Sequence, residues 1–501
     1  MAKCLMGVDI GSYESKGTLT DLNGTVIATT SLKHELDFLG DGFVEQDAEK
    51  VWWGEFVSIT QTLIKESSID PSDVAALGLS GVFSMLPIDE DANPLRTGGI
   101  MYGVDTRSVK EIETVLNWHD EPDLIRRTGN GITTQSMGPK ILWLKNNEPD
   151  VYQNAASFLP CANFIAARLT GNFVIDHFSA GFFGPLYEPS KGNWAEDLCK
   201  GIVEPERLPQ VKWASELAGT VTEKAAAMTG LAVGTPVTVG TSDVATEALS
   251  IGVRSPGDMM LMYGSTAWIS LIMEKPLYND KLWASPFLFP DTYCLHGGMA
   301  TSGSLTRWMR DMIGSELVEV EQQGGESAYQ ELTRQAESTP AGADGLVVLP
   351  YFSGERTPIQ DPNAKGVIFG LTMNHTKGHL FRAALEGVGY SIQHTLQTMN
   401  QAGASAEKIS AVGGGTKSPV WLQAVSDITG VPQDIPSVTF GASYGNAFLA
   451  GFAAGLIPSQ DEIQRWVNVS HRVKPNPDNE ATYKELMNKY LILYPRTADL
   501  M

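Results

Sequence analysis

Two distant stretches of this 501-residue chain share one plan. The first, CLMGVDIGSYESKGTLTDLNG over Cys4–Gly24, is an apolar run that stops at Asp9, a short loop, and a second alternating run. The second, MMLMYGSTAWISLI over Met259–Ile272, is again an apolar run, a Gly-Ser-Thr turn and an apolar run. Such runs predict strands, and the small residues between them predict tight turns. Asn23-Gly24 predicts one more hairpin turn. The recurrence predicts two domains of related plan, each turning its strand–turn–strand toward a common cleft. A chain of this length is also long for one core. Ser255-Pro256-Gly257 reads as a boundary, giving domains at 1–249 and 250–465 and a helical tail at 466–501.

Helical patterns follow at Asp47–Glu66 and Ser108–Trp118, with a buried strand and its exit loop between them at Ala75–Asp89. Another strand, from Gly234, ends at Asp243 and opens a helix. From Lys408 the chain reads as strand, glycine turn and helix.

Charge removes some functions. Asp and Glu number 58 against 36 Lys and Arg, for a net charge of −22, so nucleic acid and anionic membranes are not expected partners. Cys4, Cys161, Cys199 and Cys294 form no C-x-x-C pair and read as free thiols of a reducing, cytoplasmic compartment. The N-terminal apolar run meets Asp9 too soon for a signal peptide. Ile435–Ser459 carries no charge and is long enough to span a bilayer. It is rich in Gly, Ser and Ala, with two prolines, so a tightly packed buried helix is expected instead.

Three turns carry candidate chemistry. In Asp9-Ile10-Gly11-Ser12 a strand-end carboxylate would hold Mg²⁺ through water while glycine admits a phosphate; alternatively the acid caps a turn. In Gly240-Thr241-Ser242-Asp243 the acid would be a general base toward a hydroxyl, or a helix N-cap. In Gly413-Gly414-Gly415-Thr416-Lys417-Ser418 a glycine run enters a helix, whose N–H groups suit an anion or nucleotide. Three successive glycines cost backbone entropy, which favours a close approach to a ligand over a mere packing turn. The run is not a Walker A loop, because its G-x-x-x-x-G-K-[ST] spacing fails, and no strand leads into G-x-G-x-x-G. The eight histidines show no zinc-binding spacing. Trp52 and Trp53, in an amphipathic helix, read as core.

Together these pieces resemble the FGGY carbohydrate kinase family, and xylulokinases within it most closely. KGVIFGLTMNHTKGHLFRAALE over Lys365–Glu386 fits the family's C-terminal signature at Gly366, Ile368, Gly370, Leu371, His379, Leu380 and Ala383–Glu386. LPYFSGERTPIQDPNAKG before it is similar to the xylulokinase loop. EQDAEKVWW from Glu45 and the Lys140–Asn147 segment also match, although Gln135 and Met137 stand where small or hydroxyl residues are usual. The resemblance runs from Leu5 to about Gly455.

It implies an α/β, actin-like ATPase architecture: two ribonuclease-H-like domains around a central cleft. It implies transfer of the γ-phosphoryl of ATP, with Mg²⁺, to a hydroxyl of a small-molecule sugar, a ketopentose such as xylulose. Other sugars, alditols and sugar acids stay open, as does a nucleotide-binding actin-fold protein without kinase activity, which would need no base. Asp243 matches the family's catalytic base and Asp9 the acid near Mg²⁺ and sugar. Gly11, Ser12 and Lys16 match the first phosphate loop, and Gly264, Ser265 and Thr266 the second. Gly414, Gly415 and Ser418 match the adenosine loop, and Asn446 lies where the adenine pocket closes. Family members are often dimers, so a homodimer is an expected state.

Three departures stand out. Glu14 occupies a phosphate-loop position usually held by Gly or Ser. It would point to solvent, pair with Lys16 or another cation, or weaken ATP binding. Val82-Phe83-Ser84-Met85 replaces Gln-Met-His-Gly, removing donors that read sugar hydroxyls. IMYGVDTRS keeps Asp105 and Arg107 of a D-x-R motif with one extra residue before it. Asp105 would bind a sugar hydroxyl or form a salt bridge to Arg107.

Overall fold

The computed structural model describes residues 3–501. β1 (Cys4–Ile10) pairs antiparallel with β2 (Glu14–Asp21), and β2 with β3 (Val26–Lys33). On its other side β1 runs parallel to β4 (Val74–Gly81), followed by β5 (Pro236–Thr238). β1 is buried along its whole length, as expected of a central strand covered on both faces. β3, farther out, alternates between half-buried and exposed positions.

The second sheet repeats the order. β6 (Asp258–Tyr263), β7 (Ala267–Met273) and β8 (Tyr293–Met299) form the antiparallel meander. β9 (Lys408–Val412) runs parallel to β6, and β10 (Gln433–Pro436) parallel to β9. The recurring strand–turn–strand is thus the start of two sheets of the same plan. α1 (Gly54–Ser67) buries Phe56, Ile59 and Leu63 against the first sheet, and Trp52 and Trp53 are core residues beside it.

Two segments differ from the sequence reading. Ser84–Ile88, expected as an exit loop, is a strand of a separate five-stranded sheet, paired with Gly98–Met101 and Ser157–Leu159. The segment 466–501 is not only helical: Val469–Val473 extends the second sheet beside β10 before the helix Glu480–Thr497 begins. The alternation in VSHRV is too short and too polar to stand out as a strand without its partner.

α2 (Asp243–Ser250) carries the acid that ends the Gly234 strand, and α3 (Gly303–Ile313), α4 (Lys377–Gln401) and α5 (Pro419–Thr429) cover the second sheet. α6 (Ala442–Ala453) follows β10 but packs on β1, β4 and α2 of the first half. Only glycine permits that approach. A Cβ on Gly78 would lie 2.0 Å from the Asn446 carbonyl oxygen, and one on Gly445 would lie 2.1 Å from that of Thr246. The uncharged Ile435–Ser459 stretch is therefore a buried crossing helix with its flanking turns. Among the described residues no helix is long and apolar enough to cross a membrane.

Candidate active site

The parallel pairing of β1 with β4 sets Asp9 opposite Ser80, and the antiparallel pairing with β2 sets it opposite Lys16. Ser80 donates from Oγ to Asp9 Oδ1 at 2.7 Å. Asp243 opens α2, where its Oδ1 accepts from the Val244 amide at 2.7 Å and from Ser242 Oγ at 3.1 Å. Its second oxygen makes no hydrogen bond to another described residue. Glu247 lies one turn further along the same helix.

These three carboxylates share one low-dielectric region. Burial, then the Asp243 charge, pushes Asp9 up to about 7, against the Ser80 hydrogen bond and the Lys16 charge. Burial also raises Asp243, against its hydrogen bonds and Lys16. Glu247 is raised by burial and by Asp243. Lys16 is the cation that acts on all three. A divalent cation would relieve both penalties, so the donor set fits Mg²⁺. Among the described residues no cluster forms an all-protein metal cage. Mg²⁺ is usually held by one or two carboxylates together with water and phosphates, so the two observations agree.

A cavity of about 820 Å³ opens in the second half. Gly264, Ser265, Gly414, Gly415 and Ser418 line it, which unites five residues expected from two separate loops. Gly413, at φ +95°, lets the glycine run pass over the end of β6, where a Cβ would meet the Tyr263 carbonyl oxygen at 2.5 Å. Thr266 sits exposed at the turn and is not part of the wall. Gly11 lies in the first loop and Lys16 on β2 opposite Asp9, both outside this cavity, and Ser12 faces a smaller one. Arg307, Tyr329, Arg334, Phe381 and Trp421 complete the wall. Sequence reasoning missed them; only Trp421, one turn past the glycine run, had a local signal.

Asn446 does not line the larger cavity. It is fully buried under β1 and β4, donating from Nδ2 to the Val8 carbonyl at 2.9 Å and to Ser80 Oγ at 2.7 Å. The crossing of α6 carried it to the other half, where it supports the hydroxyl that holds Asp9.

The smaller cavity, about 220 Å³, is bounded by Asp243, Val82 and Phe83. Ser84 and Asp105 do not belong to it. Ser84 is buried at a strand start, donating to the Val82 carbonyl at 3.1 Å and accepting from the Cys161 amide at 3.2 Å. Asp105 is fully buried, accepting from Val44 N at 2.7 Å and from Arg107 Nη2 at 2.8 Å, with Lys140 Nζ at 3.7 Å. The D-x-R pair is an internal ion pair. Tyr102, Gln135, Phe178, Phe182, Trp268 and Arg356 also reach this cavity and were not foreseen, except that Gln135 had stood out as a departure.

Glu14 resolves in favour of pairing. It begins β2 opposite Lys33, and Lys16 Nζ lies 3.3 Å from its Oε2. Burial pushes its carboxyl up, but a hydrogen bond from Ser31 and the charges of Lys16 and Lys33 outweigh this and hold it below its ordinary value. The histidines are structural where buried: His177 bonds Tyr187 at 2.7 Å, and His296 sits between Ser270 and Ser285 at 3.0 and 2.9 Å.

Two family patterns match the chain: FGGY family of carbohydrate kinases, N-terminal domain, over residues 4–250, and the C-terminal domain of the same family over residues 259–454. A gluconokinase of Bacillus licheniformis is 28% identical over 498 residues, covering 98% of this chain and 96% of its own length. A xylulose kinase of Bacillus subtilis (strain 168) is 27% identical over 505 residues, covering 99% and 98%. The crystal structure of xylulose kinase from Rhodospirillum rubrum superposes with a TM-score of 0.92 at 29% identity, covering 99% of each chain.

Proposed function

We propose that this chain, which belongs to the FGGY family of carbohydrate kinases, transfers the γ-phosphoryl group of ATP to a hydroxyl of a ketose-sized acceptor with Asp243 as the base. One observation carries this reading. Asp243, raised by burial and with one carboxylate oxygen open, bounds the smaller cavity, while the β6–β7 turn lines the nucleotide cavity with Gly264 and Ser265. Phosphoryl transfer needs positioning and charge neutralisation more than covalent help. The open oxygen of Asp243 takes the acceptor proton, and a base whose proton affinity is raised toward neutrality does so efficiently. Gly264, Ser265 and Gly414 present backbone at the nucleotide, and Lys16 balances the carboxylates. Asp9 is the residue we assign to Mg²⁺, which supplies charge neutralisation at the phosphates when bound. We retain Gly11 and Ser12 as the first phosphate loop.

Similarity to xylulose kinases supports a ketopentose acceptor such as xylulose. A second reading, a sugar acid, is favoured by the gluconokinase relative and by Arg356 in the smaller cavity, a guanidinium that would receive a carboxylate. Buried thiols at all four cysteines support a cytoplasmic setting. A coupled ATP-consumption assay across ketoses, aldoses, alditols and sugar acids, run beside Asp243→Asn, tests the proposal. An acceptor-dependent signal lost in the variant supports it; no acceptor-dependent signal overturns it.

A further inference from the structure

Glu355 and Arg356 are adjacent and oppositely charged, yet no ion pair joins them. The Glu355 carboxylate is buried, at 3% exposure, and is occupied by uncharged donors. Its Oε1 accepts from the Ala300 amide and from the Arg356 amide, both at 2.8 Å, and its Oε2 accepts from Ser391 Oγ at 3.3 Å. Burial pushes the carboxyl up to about 7, opposed first by the two amides, then by Ser391, and only after them by the Arg356 charge. One buried side chain thus joins three segments: the end of β8 at Ala300, the loop at Arg356 and α4 at Ser391.

The backbone is pinned on both sides of Arg356. Glu355 exchanges backbone hydrogen bonds with Asp361 at 2.8 and 3.0 Å. Thr357 donates from its amide to the Gly298 carbonyl at 3.1 Å, and its Oγ1 accepts from the Gly298 amide at 2.7 Å. The Arg356 head is less committed. It lines the smaller cavity beside Asp243, donates from Nη2 to the Met299 carbonyl at 3.4 Å, and makes no ion pair among the described residues. Burial disfavours its charge. A guanidinium kept in a cavity without an anion is a ready donor to an oxygen of a bound molecule. Where that donor stands depends on the backbone from which it springs, and the amide of that backbone is held by Glu355.

We propose that Glu355 is a positioning residue for Arg356: by holding the Arg356 and Ala300 amides on one oxygen, it fixes the guanidinium at the smaller cavity, where it binds an oxygen of the acceptor. This rests on the kinase reading and adds to it a group that binds the acceptor and a second residue that aims it. The larger cavity keeps anchors of its own, because Ser302 and Gly303 donate from their amides to the Ser265 and Gly264 carbonyls at 3.0 and 2.8 Å. Loss of Glu355 therefore acts on the acceptor and not on the nucleotide.

The test is a double-mutant cycle in steady-state kinetics, run with the acceptor that wild type turns over best. Glu355→Ala should raise the KM for that acceptor by about 10- to 100-fold, the effect of displacing a binding group by about an ångström, while the KM for ATP changes by about threefold at most. Arg356→Met should raise the acceptor KM by a similar factor. The double variant should be no worse than Arg356→Met alone, because Glu355 then has nothing left to aim. Glu355→Gln keeps an oxygen for both amides and offers its NH₂ to Ser391, so its acceptor KM should stay within about threefold of wild type. If Glu355→Ala does not fold, Glu355→Asp, one methylene shorter, takes its place in the cycle. Factors that multiply in the double variant, or an acceptor KM that Arg356→Met leaves unchanged, overturn the proposal and leave the kinase reading standing. No acceptor-dependent ATP consumption by wild type overturns both.

Discussion

Asp243 commits one carboxylate oxygen to Val244 and Ser242 and keeps the other open to the smaller cavity. Asp243→Asn keeps that shape and loses the base. Acceptor-dependent turnover should drop by about 10²- to 10⁴-fold while circular dichroism and melting stay native. Asp9 presents a different balance. Its folded-state pKa is raised to about 7, so the folded protein holds a proton that the unfolded chain has already released. Wild-type stability therefore falls as pH rises from the ordinary carboxylate range to about 7, and the cost is complete above that. Asp9→Asn removes the cost and keeps an acceptor for Ser80. Its melting temperature should exceed wild type by more at pH 8 than at pH 4, with activity lost; an equal difference at both pH values would contradict the burial argument. For Glu14, flanked by Lys16 and Lys33, Glu14→Gly should change the KM for ATP by a few-fold at most. The positions of Asp9 and Asp243 at the ends of apolar runs can be read locally, whereas the roles expected of them came from the family resemblance. Ser84 was not legible, and Asp105 was legible only as a choice between a sugar hydroxyl and the salt bridge to Arg107 that the structure contains. Nothing local says whether a hydroxyl turns inward at a strand start, or whether an acid is already satisfied by Arg107 and Val44.

Helix α6 couples the halves more intimately than its place in the chain suggests. It follows the second sheet yet packs on the first, and Asn446 on it links Val8 and Ser80 beneath Asp9. The backbone contact at Gly78 leaves no room for a methyl group, 2.0 Å from the Asn446 carbonyl oxygen. Gly78→Ala should therefore destabilise by at least about 1–3 kcal/mol in urea unfolding, because backbone cannot yield as a side chain does. A variant as stable as wild type would mean that the helix sits farther out. The sequence announced this helix as buried, through its lack of charge and its small residues. It did not announce the sheet, because a Gly-rich apolar surface fits either one. The resemblance implied an adenine-pocket position for Asn446, and it is found under Asp9. Strand–turn–strand units were easier, since period-two alternation and a small-residue turn are properties of one short stretch.

The molecule has two sheets of one plan, with the larger cavity in the second half and the smaller cavity between the halves. The larger cavity was largely legible, because Gly264-Ser265 and Gly414-Gly415 are local turns. The smaller one was not, because Phe83, Phe178, Trp268 and Arg356 converge from separate segments and none carries a motif. The most direct check on the central claim is to incubate the protein with Mg²⁺, an acceptor from the panel and ATP labelled at the γ-phosphate, then follow the label into product, with Asp243→Asn alongside. The account predicts a labelled phosphosugar from wild type and almost none from the variant. Label released only as inorganic phosphate, or a phosphosugar formed equally well by the variant, would contradict it.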